Sequence, residues 1–426
     1  MSTKDKAASA KTASIKLAGL STKTKNEVLS KISEVINKKA DEIIAVNEKD
    51  IAWSQKNNLP EPLIKRLKFD KKKIKDVTEN INSLISLPDP VGKTLSATEL
   101  DKNLELYKVS CPIGLIGIIF ESRPDALVQI SSLCLKSGNA VILKGGSEAQ
   151  NTNKILFEIF KEVSESNGLP EGWIQLIETR SDVNELLRLE KYIDLLIPRG
   201  SNEFVKYIMN NTNIPVLGHA DGICHVYIDK DADKDMAINI AFDSKTQYVS
   251  VCNAAETILI HKDVAQKILP VLKSKLDEKN VEIYGCNKTC TIINANQATE
   301  NSWSTEYLDY KCSIKIVESE EEAIEHINKY GSHHTDAIIS NNEETAKRFM
   351  EYVDSANVFW NCSTRFSDGY RYGLGAEVGI STNKIHARGP VGLEGLVIYK
   401  WKLIGNGHIV ADYVSGNKKF IHKKIY

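Results

Sequence analysis

The chain has little of what marks several large classes of protein. Charge of one sign is missing: 55 Lys and Arg stand against 56 Asp and Glu, a formal net charge of −1 over 426 residues. That balance implies no face that would draw nucleic acid or an anionic membrane. No apolar run approaches the roughly 18 residues needed to span a bilayer. Paired cysteines are missing too. Cys111, Cys134, Cys224, Cys252, Cys286, Cys290, Cys312 and Cys362 are scattered singly, and the close pair Cys286 and Cys290 has no second pair or histidine pair to complete a zinc site. No metal is expected, and reduced thiols in a cytoplasmic protein fit this usage. Met1 to Lys16 has no apolar segment of a secretory signal, and its Lys4, Lys6, Lys11 and Lys16, facing only Asp5, lack the arginines of an organelle-targeting peptide.

What is present reads as an α/β protein of at least two domains, since 426 residues exceed what one core usually supports. The first 100 residues read as helical and solvent-facing; Val28, Ile32, Val35 and Ile36 recur at helical spacing. From Gly114 short apolar runs alternate with amphipathic segments. Strands are expected at 114–120, 140–143, 174–177 and 193–197, with helices at 125–136 and 148–164 and the segment 182–189 between the last two strands. A second series places strands at 257–260, 314–317, 337–339 and 357–360, with helices at 262–276, 320–329 and 343–353. Continuous apolar strands separated by helices imply parallel sheets covered on both faces. The tail from Leu396 to Ile409 alternates like a strand, and Gly405-Asn406-Gly407 suits a hairpin or an edge strand.

Four polar or glycine-bearing clusters interrupt this pattern. Lys144-Gly145-Gly146-Ser147 ends a strand and precedes a helix, where nucleotides bind in parallel sheets, although it is neither a Gly-x-Gly-x-x-Gly fingerprint nor a Walker loop. Arg199-Gly200-Ser201-Asn202 repeats that arrangement, with Ser201 as a helix cap whose free N–H groups favour phosphate. For both, an ordinary strand-to-helix turn is the competing reading. Cys252 lies at the expected junction of the two domains beside Asn253, with Lys245 as a source of positive potential; most single cysteines are instead small buried hydrophobes. The block 361–395, rich in Gly, Ser, Thr, Asn and Arg, is too long for an idle loop, and Ser363, Thr364, Arg365, Arg371 and Arg388 suit an anionic substrate.

With these segments in hand a resemblance emerges. Phe120-Glu121-Ser122-Arg123-Pro124, KSGNAVILKGG (136–146), IPRGSN (197–202), PVLGHADGICH (215–225), Cys252-Asn253, His334-Thr335-Asp336 and the run 361–393 resemble the γ-glutamyl phosphate reductases, within the aldehyde dehydrogenase superfamily. The resemblance spans about residues 15 to 415. It implies an aldehyde dehydrogenase-like fold of two parallel-sheet α/β domains plus a small oligomerisation flap. Residues 1–245 would bind the cofactor, with 97–110 in the flap; 246–388 would be catalytic; 389–426 would return and supply the oligomerisation strand. The implied reaction is NADPH-dependent reduction of L-glutamate 5-phosphate to L-glutamate 5-semialdehyde and phosphate through a thioester on Cys252, the second step of proline biosynthesis. Asn253 and Ser122 are the candidate polar groups for the oxyanion beside the Cys252 N–H. Lys144, Gly145, Gly146, Ser147, Arg199, Gly200, Ser201, Asn202 and Glu306 would hold NADP; Arg123, His219, Ser363, Thr364, Arg365 and Arg388 would hold substrate.

Two departures from hydrolytic aldehyde dehydrogenases carry weight. Aligning their Gly-Gly pair on Asp221-Gly222 puts His219 where they keep a water-activating glutamate, and Ser147 stands where NAD-preferring relatives keep a ribose-binding glutamate. A hydrolytic NAD(P)-dependent aldehyde dehydrogenase is the alternative, and a binding protein that retains the fold without activity is a third reading. No amino-acid kinase segment is recognisable. The implied partners are therefore the substrate, further copies of the chain in a dimer or tetramer, and transient contact with a separate glutamate 5-kinase, without nucleic acid or membrane.

Overall fold

The computed structural model describes residues 1–218, 221–374, 377–384 and 386–426, with the side chains of Pro62, Arg180 and Ser181 left aside. Five helices open the chain: α1 (Thr3–Leu17), α2 (Thr22–Lys38), α3 (Ala40–Lys56), α4 (Glu61–Leu67) and α5 (Lys71–Ser86). Ser2 and Asp5 form a capping box on α1, and Ser21 caps α2. The expectation that this region faces solvent is corrected. Ala7, Ala10, Ala13 and Leu17 on α1, with Val28, Leu29, Ile32 and Ile36 on α2, form buried stripes in the same core as the first sheet. Its end is not helical either: β1 (Thr94–Asp101) pairs antiparallel with β2 (Leu104–Pro112).

The first parallel sheet contains β3 (Leu115–Phe120), β4 (Ala140–Lys144), β5 (Ile174–Ile177) and β6 (Leu195–Arg199), in the order β5-β4-β3-β6. Helices α6 (Pro124–Lys136), α7 (Gln150–Ser166) and α8 (Arg180–Leu186) connect the strands, and α9 (Asn202–Asn210) follows β6. Successive strands step one way from β3 to β5, and β6 then returns to the other side of β3. The carboxyl ends of β3 and β6 therefore flank a topological switch point, where ligands of such sheets collect.

The second sheet is built from β7 (Cys224–Ile228), β8 (Ala255–His261), β9 (Glu282–Gly285), β10 (Asn296–Gln297), β11 (Lys311–Val317), β12 (Thr335–Ile339) and β13 (Asn357–Trp360). All its pairings are parallel, in the order β10-β9-β11-β8-β7-β12-β13. Helices α10 (Lys234–Thr246), α11 (Lys262–Asp277), α12 (Asn287–Ile292), α13 (Glu320–Tyr330) and α14 (Glu343–Tyr352) accompany it. Side chains alternate between its faces: Val226 and Ile228 enter one apolar cluster and Tyr227 the other. Because β7 pairs with β8 and β12, residues from 224 onward belong to this sheet, upstream of the expected division after 245. The reason is that β7 is short and carries His225, so its apolar signal is broken at sequence level.

The segment that follows returns. β14 (Gly379–Ser381) and β15 (Gly389–Val391) pair antiparallel, and Val378, Ala387, Val391, Leu393 and Leu396 pack into the core of the first sheet rather than the second. β16 (Val397–Ile404) then lies antiparallel on β2, and after α15 (Val410–Val414) the short β17 (Lys423–Lys424) pairs with β1. Gly405 to Gly407 ends an edge strand; no hairpin partner follows it directly. Among the described residues no helix is long and apolar enough to cross a membrane.

Candidate active site

Three strand ends of the first sheet converge at its switch point. Lys144 closes β4, buried, its ammonium donating to the Gly145 carbonyl at 2.5 Å. A side chain on Gly145 is excluded, because its Cβ would lie 2.1 Å from Nδ2 of Asn153. Asn153 is 2 % exposed and neither amide atom has a hydrogen-bond partner among the described residues; it lines a cleft with Gly145, Gly146, Ser147, Gln150 and Glu178 over Leu176 and Ile177. An unsatisfied buried amide costs roughly 1–3 kcal/mol, so a polar ligand edge is the fitting occupant. At the end of β3, Ser122 adopts φ of +46° and gives its N–H (2.6 Å) and hydroxyl (2.8 Å) to one oxygen of Glu148. These two bonds tie Ser122 to the Glu148 carboxylate.

The two helix N-termini here differ. Asp50 reaches across from α3 and accepts the N–H groups of Asn151 (3.3 Å) and Thr152 (2.8 Å), so α7 carries its own carboxylate. Helix α9 opens instead at Gly200-Ser201, with the Ser201 hydroxyl accepting the Phe204 N–H at 3.4 Å. The Glu121 carboxylate closes on Gly200 there, one oxygen lying 2.8 Å from where a Cβ would stand. Arg199 is partly committed: it donates to the Val378 carbonyl at 2.6 Å and ties down the returning segment.

Cys252 sits half-buried on the turn that leads into β8. Its main chain is clamped from several directions. Gly222 presses against it so closely that a Cβ there would lie 2.2 Å from the Cys252 carbonyl oxygen, and the Cys224 thiol donates to that oxygen at 3.1 Å. The Asn253 amide donates to the Ser367 carbonyl (2.7 Å), and the Thr364 hydroxyl donates to the Asn253 carbonyl (2.7 Å). Ser363 meets Ser244 at 3.2 Å. Ser363 and Thr364 are buried and hydrogen-bonded within the protein, and so pin this turn.

The positive group beside the sulfur is also corrected. Lys245 is fully buried and bonded to Glu256 at 2.6 Å. Arg365 takes its place: it donates to Gln247 at 2.9 Å, and burial first, then Arg371, lower its pKa while the Cys252 sulfur raises it. Arg123 is exposed at the start of α6, and desolvation, then Arg199 and Arg66, lower its pKa while Asp125 and Tyr248 oppose.

Asn202 connects both sides. Its amide donates to Glu306 and, at 3.1 Å, to Asp221, the residue before Gly222. Glu306 and Asn202 are thereby in contact, and Asp221 joins them to the Gly222 that abuts Cys252. Arg388 is not: it is spent on Asp354 at 3.1 Å, beside Lys384. His219 lies outside the described residues. Glu148, Asn153 and Asp50 escaped the sequence reading. Glu148 could have been found next to Ser147, but nothing local marks Asp50, which acts 101 residues away.

A switch-point crevice facing a clamped cysteine defines an aldehyde dehydrogenase-like protein, and residues 2–300 match the aldehyde dehydrogenase family. That family uses NAD or NADP. Over 425 residues the chain is 65% identical to γ-glutamyl phosphate reductase of Acetivibrio thermocellus, covering 100% of this chain and 99% of the relative. It is 63% identical over 415 residues to that of Pelotomaculum thermopropionicum, covering 97% and 96%. The crystal structure of γ-glutamyl phosphate reductase from Thermotoga maritima superposes with a TM-score of 0.94 at 39% identity, over 96% of this chain and 100% of the other. The chain belongs to the γ-glutamyl phosphate reductase family. A Methanocaldococcus jannaschii glyceraldehyde-3-phosphate dehydrogenase complexed with NADP shares the fold, with a TM-score of 0.64 at 16% identity over 95% and 94% of the two chains.

Proposed function

We propose that the chain reduces L-glutamate 5-phosphate to L-glutamate 5-semialdehyde and phosphate with NADPH, the second step of proline biosynthesis, in the cytoplasm. The observation that carries this reading is the clamped Cys252 beside Arg365, linked through Gly222, Asp221 and Asn202 to the cofactor crevice. In the forward direction the Cys252 sulfur adds to the acyl phosphate carbonyl, the bond from that carbon to the phosphate oxygen breaks, and phosphate departs. Arg365 and Arg123 supply positive charge for the anionic substrate. The Cys252 N–H and the amide of Asn253 are the candidate donors to the oxyanion. Lys144 to Ser147, Gly200 to Asn202 and Glu306 would hold a reduced nicotinamide dinucleotide, which supplies the hydride when bound. The sulfur keeps the acyl group as a thioester until then and leaves as the aldehyde carbonyl re-forms.

Hydrolysis is disfavoured by the likeness to γ-glutamyl phosphate reductases, and two carboxylates near the cysteine turn are held by lysines. Asp221 holds Lys206 at 2.8 Å, and Glu256 holds Lys245. Neither is available as a base for water. NADP is favoured over NAD because Ser147 carries no charge to repel a 2′-phosphate and Glu148 is turned onto Ser122. Homo-oligomerisation is supported by β16, an edge strand exposing Ile398, Tyr399, Trp401, Leu403 and Ile404. Contact with glutamate 5-kinase rests on the lability of an acyl phosphate alone. The test is the reverse reaction: NADP reduction by the semialdehyde should require inorganic phosphate. Equal turnover without phosphate would establish the hydrolytic alternative instead.

A further inference from the structure

Four residues beyond the nucleophile, β8 carries a charge with no access to solvent. Glu256 and Lys245 are both fully buried and meet at 2.6 Å. Stability alone does not account for such a pair, since apolar replacements of buried ion pairs are often neutral or stabilising. Its second oxygen does something more specific. Glu256 Oε2 holds Lys245, while Oε1 accepts the backbone N–H of Leu308 at 3.2 Å.

Leu308 belongs to a turn with an unusual demand on its backbone, φ of +51° at a leucine. Such a conformation persists only where the surroundings enforce it. Both of its peptide groups are tethered: the N–H to Glu256, and the carbonyl to the Ser250 hydroxyl at 3.3 Å. Both tethers come from the wall that carries Cys252, two residues before it and four after it. Two residues upstream of Leu308, Glu306 projects to the amide of Asn202 at the opening of α9. The 306–308 turn thus spans from the nucleophile's wall to the cofactor loop; burial first raises the pKa of Glu256, Lys245 opposes, and Glu306 adds a smaller rise.

We propose that Glu256 is a positioning residue: its carboxylate, steadied by Lys245, fixes the 306–308 turn through the Leu308 N–H and so sets Glu306 relative to the Cys252 sulfur. The inference rests on Glu306 being a cofactor contact, as read above. It assigns the buried pair a role in cofactor placement rather than in activation of the thiol.

Two double variants separate these roles, because neither leaves a lone buried charge. K245M/E256Q keeps a carbonyl acceptor for Leu308; K245M/E256L removes it. NADPH affinity is read by nicotinamide fluorescence, Cys252 reactivity by iodoacetamide alkylation, and kcat separately from KM. In K245M/E256Q the NADPH Kd should stay within about 2-fold of wild type, whereas K245M/E256L should weaken it about 10-fold and lower kcat, the size expected for one lost hydrogen bond. Alkylation should be unchanged in both. Equal NADPH affinity in the two variants would overturn the proposal, as would altered alkylation with unaltered affinity. A wild-type chain that is alkylated normally but does not bind NADPH would sink the underlying reading, and the inference with it. Should K245M/E256L fail to fold, Ser250→Ala removes the other tether from an exposed position. About 3-fold weaker NADPH binding with normal alkylation would support the proposal, by the scale of a weak exposed hydrogen bond. Unchanged affinity in that variant would overturn it.

Discussion

In the first sheet the site-facing residues follow the strands, whereas in the second they precede them. Ser122, Lys144 and Arg199 stand at or just beyond the carboxyl ends of β3, β4 and β6. Cys252, Gly222 and Leu308 stand before β8, β7 and β11. A carboxyl end that runs into a helix offers glycine turns and unpaired N–H groups, which grip an extended anionic ligand by its backbone-facing surface. An amino end offers no such groups. Its turn must be held by side chains from elsewhere, and what it gains is exact placement of one atom. One end therefore binds and the other aims.

That division makes the largest effect easy to state. Cys252→Ala should lower forward turnover by at least ~10³-fold, the usual consequence of removing a covalent nucleophile. NADPH titration should be indistinguishable from wild type. Loss of NADPH binding together with activity would show that the two ends are not separable.

Next in size is the aim itself. Thr364→Val removes the hydroxyl that holds the Asn253 carbonyl at 2.7 Å while keeping the shape. A misplaced reacting group can cost up to about 10²-fold, so kcat should fall 10- to 100-fold, estimated from the same principle, with NADPH Kd unmoved. Wild-type kcat in this variant would demote Thr364 from clamp to filler.

The binding end breaks in the opposite pattern. Gly145→Ala places a Cβ 2.1 Å from the Asn153 amide, and displacement of a packed neighbour costs about 1–3 kcal/mol. NADPH should bind about 10-fold more weakly, while iodoacetamide still alkylates Cys252 at the wild-type rate. Slower alkylation would mean that the crevice also shapes the cysteine turn.

The same asymmetry explains what could be read from sequence. Lys144 to Ser147 and Arg199 to Asn202 announce themselves because strand, glycine and helix cap lie within a few residues of one another. The parallel strands β3 to β6 and β11 to β13 were equally plain as apolar runs. The clamp was not. Thr364 acts on Asn253 across 111 residues, and Ser363 on Ser244 across 119. A polar block with hydroxyls and arginines looks like a substrate site whether its hydroxyls face in or out; only packing decides. Lys245 misled for the same reason: its charge was visible, its buried partner Glu256 eleven residues later was not.

The smallest effect concerns acid. Behind the second sheet's amino end His326 is 3 % exposed on α13, with ring centroids 5.6 Å from His225, 5.5 Å from Trp303 and 4.6 Å from Tyr330. Burial first, then His225, Lys315 and Lys329, push its pKa down to about 2. An unfolded chain would titrate this histidine near 6.5. The folded value lies below the unfolded one, so the fold takes up no proton here where the unfolded chain does. The stabilisation is complete above about 6.5 and drains away as pH falls toward 2, with a limiting slope of about 1.4 kcal/mol per pH unit for one proton. The first sheet has no buried histidine of this kind among its described residues. Amide hydrogen exchange between pH 7 and 4 should therefore lose protection in β7, β8 and β12 before β3 and β4. His326→Phe keeps the aromatic packing, and Lys315 keeps Glu322 at 2.9 Å as its partner, so the variant should show a shallower loss. An unaltered slope in His326→Phe would place the acid sensitivity elsewhere.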